Sequence, residues 1–126
     1  MADASGLLLF VETPHFTTRW QKLGLTDGDL AALQWSILEH PLAGAVIAGT
    51  GGFRKLRFSP PNSGKGKSGA LRAIYLPIPR LRTVVLGVVF AKNEAGNIDA
   101  VAKKMLIKLG GVYELLLDRH LKGEQP

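Results

Sequence analysis

The chain predicts a small α+β domain with a mostly antiparallel sheet, its helices grouped on one face and its basic side chains on the other. Three observations carry this expectation. Two helical patterns follow a short apolar run near the N-terminus, three strand-like segments come next without an intervening helix, and a further helical pattern closes the chain. Length agrees, because 126 residues with 46% hydrophobic and 21% charged suit one compact domain, read as residues 1–126.

The elements follow in order. Leu7 to Thr13 is an apolar run rich in strand formers. Pro14 offers a helix start, and His15 to Leu23 reads as a short helix ended by Gly24. Thr26 followed by Asp29 makes a capping-box-like start, after which Leu30, Leu33, Gln34, Ile37 and Leu38 keep the three-and-four spacing of an amphipathic helix until Pro41. Trp20 and Trp35 fall on these two helices and read as packing residues.

Ala43 to Gly52 is Gly-rich and apolar, a loop or irregular strand. From Phe53 to Ser59 the chain alternates, with Leu56 and Phe58 on one face and Lys55 and Arg57 on the other. Ser59 to Ser68 has turn chemistry, with two Pro, two Gly and Asn62, and Ala70 to Leu76 reads as the returning strand of a hairpin. Pro77 to Arg82 connects to Val84 to Ala91, a third strand apolar enough to be central. Asn97 is a good N-cap for a helix striped by Ile98, Val101, Ala102, Met105, Leu106 and Leu109. Gly110 and Gly111 predict a break or bend, with helical spacing resuming from Val112 to Leu121, so a kinked helix and a helical hairpin both fit.

Charge is distributed unevenly. The sixteen Lys and Arg exceed the ten Asp and Glu by six. No acidic residue stands between His40 and Asn93, whereas that span holds Arg54, Lys55, Arg57, Lys65, Lys67, Arg72, Arg80, Arg82 and Lys92. The flanks carry seven basic residues against all ten acidic ones, so the positive excess belongs to the middle of the chain and favours an anionic partner there. Cysteine is absent and the three His are dispersed, so the residue set offers no thiol nucleophile, no Cys-ligated metal and no His cluster; no metal and no cofactor are expected. His15, His40 and His120 lie outside the basic span and read as surface or capping residues, and Glu94 reads as a salt-bridge partner of Lys92. Gly64-Lys65-Gly66-Lys67-Ser68 lacks the spacing and the strand-to-helix context of a nucleotide-binding loop. No stretch approaches the roughly 20 apolar residues of a membrane-spanning helix. Asp3 and the short run Leu7 to Val11 do not make a secretory signal, so a cytoplasmic location is expected.

Three motifs in order carry a family likeness. Gly49-Thr50-Gly51-Gly52-Phe53-Arg54-Lys55-Leu56-Arg57, then Gly64-Lys65-Gly66-Lys67-Ser68-Gly69-Ala70-Leu71-Arg72-Ala73-Ile74-Tyr75, then Phe90-Ala91-Lys92-Asn93-Glu94, resemble the RelE/HigB superfamily of bacterial type II toxin–antitoxin toxins, most closely its HigB-like branch. The likeness runs from Leu7 to Glu12 through the helix at Asn97. It implies a RelE-like fold with a twisted sheet and a ribosome-dependent mRNA endoribonuclease that inhibits translation. The implied partners are the ribosome and mRNA, a cognate antitoxin encoded beside it and of helix-turn-helix type, and operator DNA only through the antitoxin complex; no membrane is involved. The matching positions are Arg54, Lys55, Arg57, Lys65, Lys67, Arg72, Tyr75, Lys92 and Asn93.

Metal-independent RNA cleavage by attack of the 2′-OH on its own phosphate needs a positioned nucleotide and neutralised phosphoryl charge. Arg57 and Arg72 are the candidates for clamping the scissile phosphate, because guanidinium contacts phosphate oxygens in pairs. Lys55 and Lys92 are the candidates for proton transfer, since neighbouring like charges lower a Lys pKa. Arg54, Lys65, Lys67, Tyr75 and Asn93 are expected to bind RNA, Tyr75 by stacking or proton donation, with a sheet aromatic as its equal alternative. The chain departs from the family pattern at Gly69-Ala70, Tyr75-Leu76 and Phe90, where Tyr is common. Phe90 cannot transfer a proton, so an alternative expectation is a catalytically inactive RelE-fold nucleic-acid-binding or regulatory module.

Overall fold

The computed structural model describes residues 9–61, 70–91 and 100–121. It consists of β1 (Leu9–Glu12), α1 (Pro14–Lys22), α2 (Asp27–Glu39), β2 (Ala45–Val46), β3 (Arg54–Phe58), β4 (Leu71–Ile78), a 3-10 turn (Pro79–Leu81), β5 (Thr83–Ala91) and α3 (Ala100–Leu121). The five strands form one mixed sheet in the order β1-β5-β4-β3-β2. β1 runs parallel to β5, and the other neighbours are antiparallel. The expected α+β class and mostly antiparallel sheet are therefore present. The 43–52 segment resolves into a two-residue edge strand.

Both N-terminal helices start as their sequence predicts. The Thr13 hydroxyl accepts from the Phe16 amide and Pro14 occupies the first turn of α1. Thr26 and Asp29 exchange side-chain-to-backbone bonds at the start of α2, each 3.0 Å. Gly24, at φ +73°, takes the left-handed turn between them.

Alternation along β4 divides the interior in two. Leu71, Ala73 and Tyr75 join Phe16 and Trp20 of α1 and Leu33 and Ile37 of α2 in one apolar cluster. Ile74, Leu76 and Ile78 join Phe53, Leu81, Val85 and Leu106 of α3 in the other, with Tyr113 and Leu117 packed against it. The expected grouping of all helices on one face is therefore corrected: α1 and α2 cover one side and α3 lies on the other. The physical reason is that β4 and β5 are apolar on both faces, and a two-sided apolar strand must be covered twice. Trp35 also departs from its expected packing role and is 62% exposed. It stands two residues beyond buried Leu33, about 200° around the helix.

A bulge sets the phase of β5. Tyr75 pairs with Leu86 but Ile74 pairs with Val88, so Gly87 is an extra residue in the ladder. Before it, Val84 and Leu86 face α1 and α2; beyond it, Val89 and Ala91 do, and Val88 and Phe90 turn to the α3 side. Thr13 secures this point, donating its hydroxyl to the Gly87 carbonyl at 2.8 Å while its amide donates to the Leu86 carbonyl at 3.0 Å. A Cβ on Gly87 would stand 3.0 Å from the Phe53 ring.

α3 runs unbroken through Gly110 and Gly111, which settles the choice left open between a bent helix and a hairpin in favour of one 22-residue helix. Gly110 lets it approach the sheet, since a Cβ there would stand 3.1 Å from both Leu76 and the Phe53 ring. Gly111 faces open space.

Two stability outcomes follow from these contacts. Thr13→Val removes the α1 cap and leaves the Gly87 carbonyl buried without its donor, so urea unfolding should show a loss of about 1–3 kcal/mol at unchanged slope. Gly111→Ala should gain about 0.5–1 kcal/mol by helix propensity, whereas Gly110→Ala should lose stability, overpacking of about 1–3 kcal/mol outweighing the same gain. Equal responses at the two glycines in thermal unfolding would show that α3 does not press on Phe53.

Candidate functional site

On the α3 side of the sheet the side chains change character from one end to the other. Arg57 of β3 stands directly opposite Arg72 of β4, and Arg72 opposite Phe90 of β5, so the three form a row across three strands. The next row on the same face pairs Lys55 with Ile74 and Ile74 with Val88, roughly 7 Å further along the strands. Beyond it lie Phe53 and Leu76, under Gly110 of α3. A cationic end thus passes into an apolar end that α3 covers.

The Arg57–Arg72 pairing is unfavourable by itself. Side chains directly opposed on antiparallel strands have Cβ atoms about 4.5–5.5 Å apart, and like charges there destabilise by a few tenths to about 1 kcal/mol. No carboxylate among the described residues is paired with Lys55, Arg57 or Arg72, in contrast to Arg80 of the 3-10 turn, which pairs with Glu114 and Asp118 at 2.6 and 2.9 Å. Arg57 is exposed, while Lys55 and Arg72 are half-buried. Two guanidiniums and an ammonium held on rigid strands without counter-charge suit a polyanion, and Phe90 adds an aromatic surface beside Arg72. The signal for Phe90 was not legible in the strand pattern, because simple alternation places it with Val84 and Leu86 and only the Gly87 bulge transfers it to this row.

Two expected RNA-binding residues lie elsewhere. Tyr75 is fully buried on the α1–α2 side. Its hydroxyl donates to the Pro41 carbonyl at 2.7 Å and accepts from the Gly44 amide at 3.1 Å. Arg54 stands opposite Tyr75 and donates Nη1 to the carbonyls of Leu42 and Gly44, at 3.0 and 2.7 Å. Tyr75 thereby takes its alternative role as a sheet aromatic, and both residues tie the α2–β2 connection to the sheet on the side away from the Arg57–Arg72 row. The reason is strand parity, which sends residues 54 and 57 to opposite faces. The fit is close, since a Cβ on Gly44 would stand 2.9 Å from the Tyr75 hydroxyl. Lys65, Lys67, Lys92 and Asn93, with Glu94 and the Asn97 cap, lie outside the described residues.

Among the described residues no three His, Cys, Asp or Glu side chains gather as a metal site, and no helix is long and apolar enough to cross a membrane. His15, His40 and His120 are exposed, away from the cationic row.

No protein-family model matches the chain. Among solved structures it is similar to the free state of the E. coli toxin RelE, in a double arginine-to-alanine mutant, with a TM-score of 0.52 at 16% identity over 80% of this chain and 95% of that one. This chain has the RelE fold. In that fold the cationic row is carried by β3 and β4, the two strands of the central hairpin, and flanked by β5.

The Tyr75 hydroxyl makes a pH test possible. Burial raises its pKa above the ordinary 10.0, against the opposing pulls of the Gly44 amide and the Arg54 charge. The neutral form is favoured in the folded state, so this contribution is complete below the unfolded value and is lost as pH rises above about 10 toward the folded value. Tyr75→Phe should lose about 1–3 kcal/mol near pH 8. It should also decline less than the parent between pH 9 and 11 in parallel urea titrations; an equal decline would mean that the hydroxyl ionises in the fold as readily as in the unfolded chain.

Proposed function

We propose that the chain is the toxin of a type II toxin–antitoxin system, of the HigB-like branch, which cleaves mRNA on the ribosome and so inhibits translation. The observation that carries the reading is the uncompensated Arg57–Arg72 pair with Lys55 on the same face. The RelE fold, the motif order and the acid-free span from His40 to Asn93 support it. In this reading one domain acts in the cytoplasm, and an antitoxin encoded beside it holds it inactive.

Arg57 and Arg72 grip the non-bridging oxygens of the scissile phosphate and stabilise the charge that grows there as the 2′-oxygen attacks. The attacking hydroxyl loses its proton, the P–O5′ bond breaks, and the departing 5′-oxygen gains a proton. Lys55 and Lys92 are assigned these proton transfers. Phe90 supplies a stacking surface for a base next to the clamped phosphate, a role that needs no hydroxyl. Lys65, Lys67 and Asn93 contact the flanking backbone or ribosomal RNA.

A second reading, an inactive RelE-fold nucleic-acid-binding or regulatory module, is favoured by Phe90, which has no hydroxyl and stands where Tyr is common in the family this chain resembles. It shares the cationic row and differs in producing no cut RNA.

Induced expression of the parent should arrest growth and fragment translated mRNA. Arg57→Ala with Arg72→Ala should abolish both, while keeping or gaining up to about 1 kcal/mol of stability, because it removes a like-charge cross-strand pair. Identical growth and mRNA integrity for parent and variant would refute the assignment. Salt-sensitive RNA binding by the parent without cleavage products would select the second reading.

A further inference from the structure

α3 has a second surface that the sheet does not use. Its buried side is Leu106 and Gly110 with partly covered Tyr113 and Leu117. One step around the helix, Met105, Leu109, Val112 and Leu116 follow one another at intervals of four, three and four residues, the spacing of a helix-pairing seam. Leu109 is half-buried, but Met105, Val112 and Leu116 are 59, 48 and 55% exposed, and among the described residues nothing covers them. Isolated exposed apolar residues are ordinary; three aligned on one helix, with Leu115 beside them also 55% exposed, form a patch.

Charge indicates what fits it. The row bordering this stripe on the solvent side is Lys104, Lys108 and Arg119, all exposed. The acidic residues of the described helix, Glu114 and Asp118, lie on the far side and are bonded to Arg80. The surface is therefore apolar with a basic border. Pairing two copies through it sets one basic row against the other, like charge facing like. A helix with an apolar seam and acidic flanks satisfies both features.

We propose that the exposed stripe Met105–Val112–Leu116 of α3, bordered by Lys104, Lys108 and Arg119, docks an acidic amphipathic helix of a partner protein. This surface is distinct from the Arg57–Arg72 row, and the inference does not require that RNA is cleaved.

The probe is a synthetic helical peptide with Leu at the two seam positions of each heptad and Glu at the flanking ones, which repels itself at neutral pH, titrated into the full chain by fluorescence anisotropy. Arg57→Ala with Arg72→Ala should bind it as the parent does, and a scrambled peptide of equal composition should not bind. Val112→Glu with Leu116→Glu should weaken binding about tenfold or more, and Lys104→Glu with Lys108→Glu should transfer preference to the Lys-flanked version of the peptide. Lys104, Lys108, Val112 and Leu116 are exposed, so circular dichroism of the α3 variants should be unchanged. Absence of binding by the parent, or equal binding by the scrambled peptide or by the stripe variants, overturns the proposal. So does a parent dimer in analytical ultracentrifugation that Val112→Glu with Leu116→Glu dissolves, which would assign the stripe to a second copy. Sedimentation with phosphatidylglycerol vesicles without peptide binding would assign it to a lipid surface.

Discussion

The junction of Thr13 with Gly87 is the contact on which most of this molecule depends. One side chain ends β1, caps α1 and holds the bulge of β5, through bonds to the Phe16 amide and the Gly87 carbonyl. A regular strand through Gly87, without the bulge, would put Val88 and Phe90 on the side already filled by α1 and α2, since side chains alternate with a period of two. Instead, the bulge gives the α3 side an apolar floor from Val85 and Val88 and an aromatic end at Phe90. The glycine is needed because Phe53 presses on it from the same side, and Gly110 of α3 presses on Phe53 in turn. A chain of close contacts thus runs from the N-terminal junction through the sheet to the last helix.

The same sheet explains how a repulsive pair can persist. Arg57 and Arg72 are opposed because the register of β3 with β4 is determined by Leu56, Phe58, Ala73 and Tyr75 on the buried face. A one-residue slip would bury the charges and expose the core, which costs far more than the repulsion between two solvated guanidiniums. Burial on one face therefore imposes charge density on the other. The backbone of such a cationic row is already organised before any anion arrives, so the entropy left to be lost on binding is that of the side chains.

Tyr75 and Arg54 show what kind of residue misleads a reading along the chain. Arg54 stands in a basic run with exposed Arg57, Tyr75 follows Arg72 on the next strand, and their chemical types suit RNA as well as any in the span. Their task here is to satisfy the carbonyls of Pro41, Leu42 and Gly44, in the connection that follows α2. Nothing local announces this, because the carbonyls lie 34 and 12 or fewer residues away in sequence. Trp35 is a parallel case, its exposure following from rotation about α2.

Local chemistry was sufficient for the parts that local chemistry controls. The Thr26–Asp29 box, Pro14 at the start of α1, the alternation of Lys55 and Arg57 against Leu56 and Phe58, and the acid-free middle of the chain were all legible in the sequence, because each depends on neighbours a few residues away. Tertiary packing decided the rest. It placed α3 on the second face, because both faces of β4 and β5 are apolar. It kept α3 continuous across two glycines, where Gly110 allows contact with Phe53. It moved Phe90 into the cationic row through an inserted residue that pairing alone reveals, and withdrew Tyr75 from that row. Composition determined that positive charge would be concentrated, and strand parity and register determined which of those charges share a face.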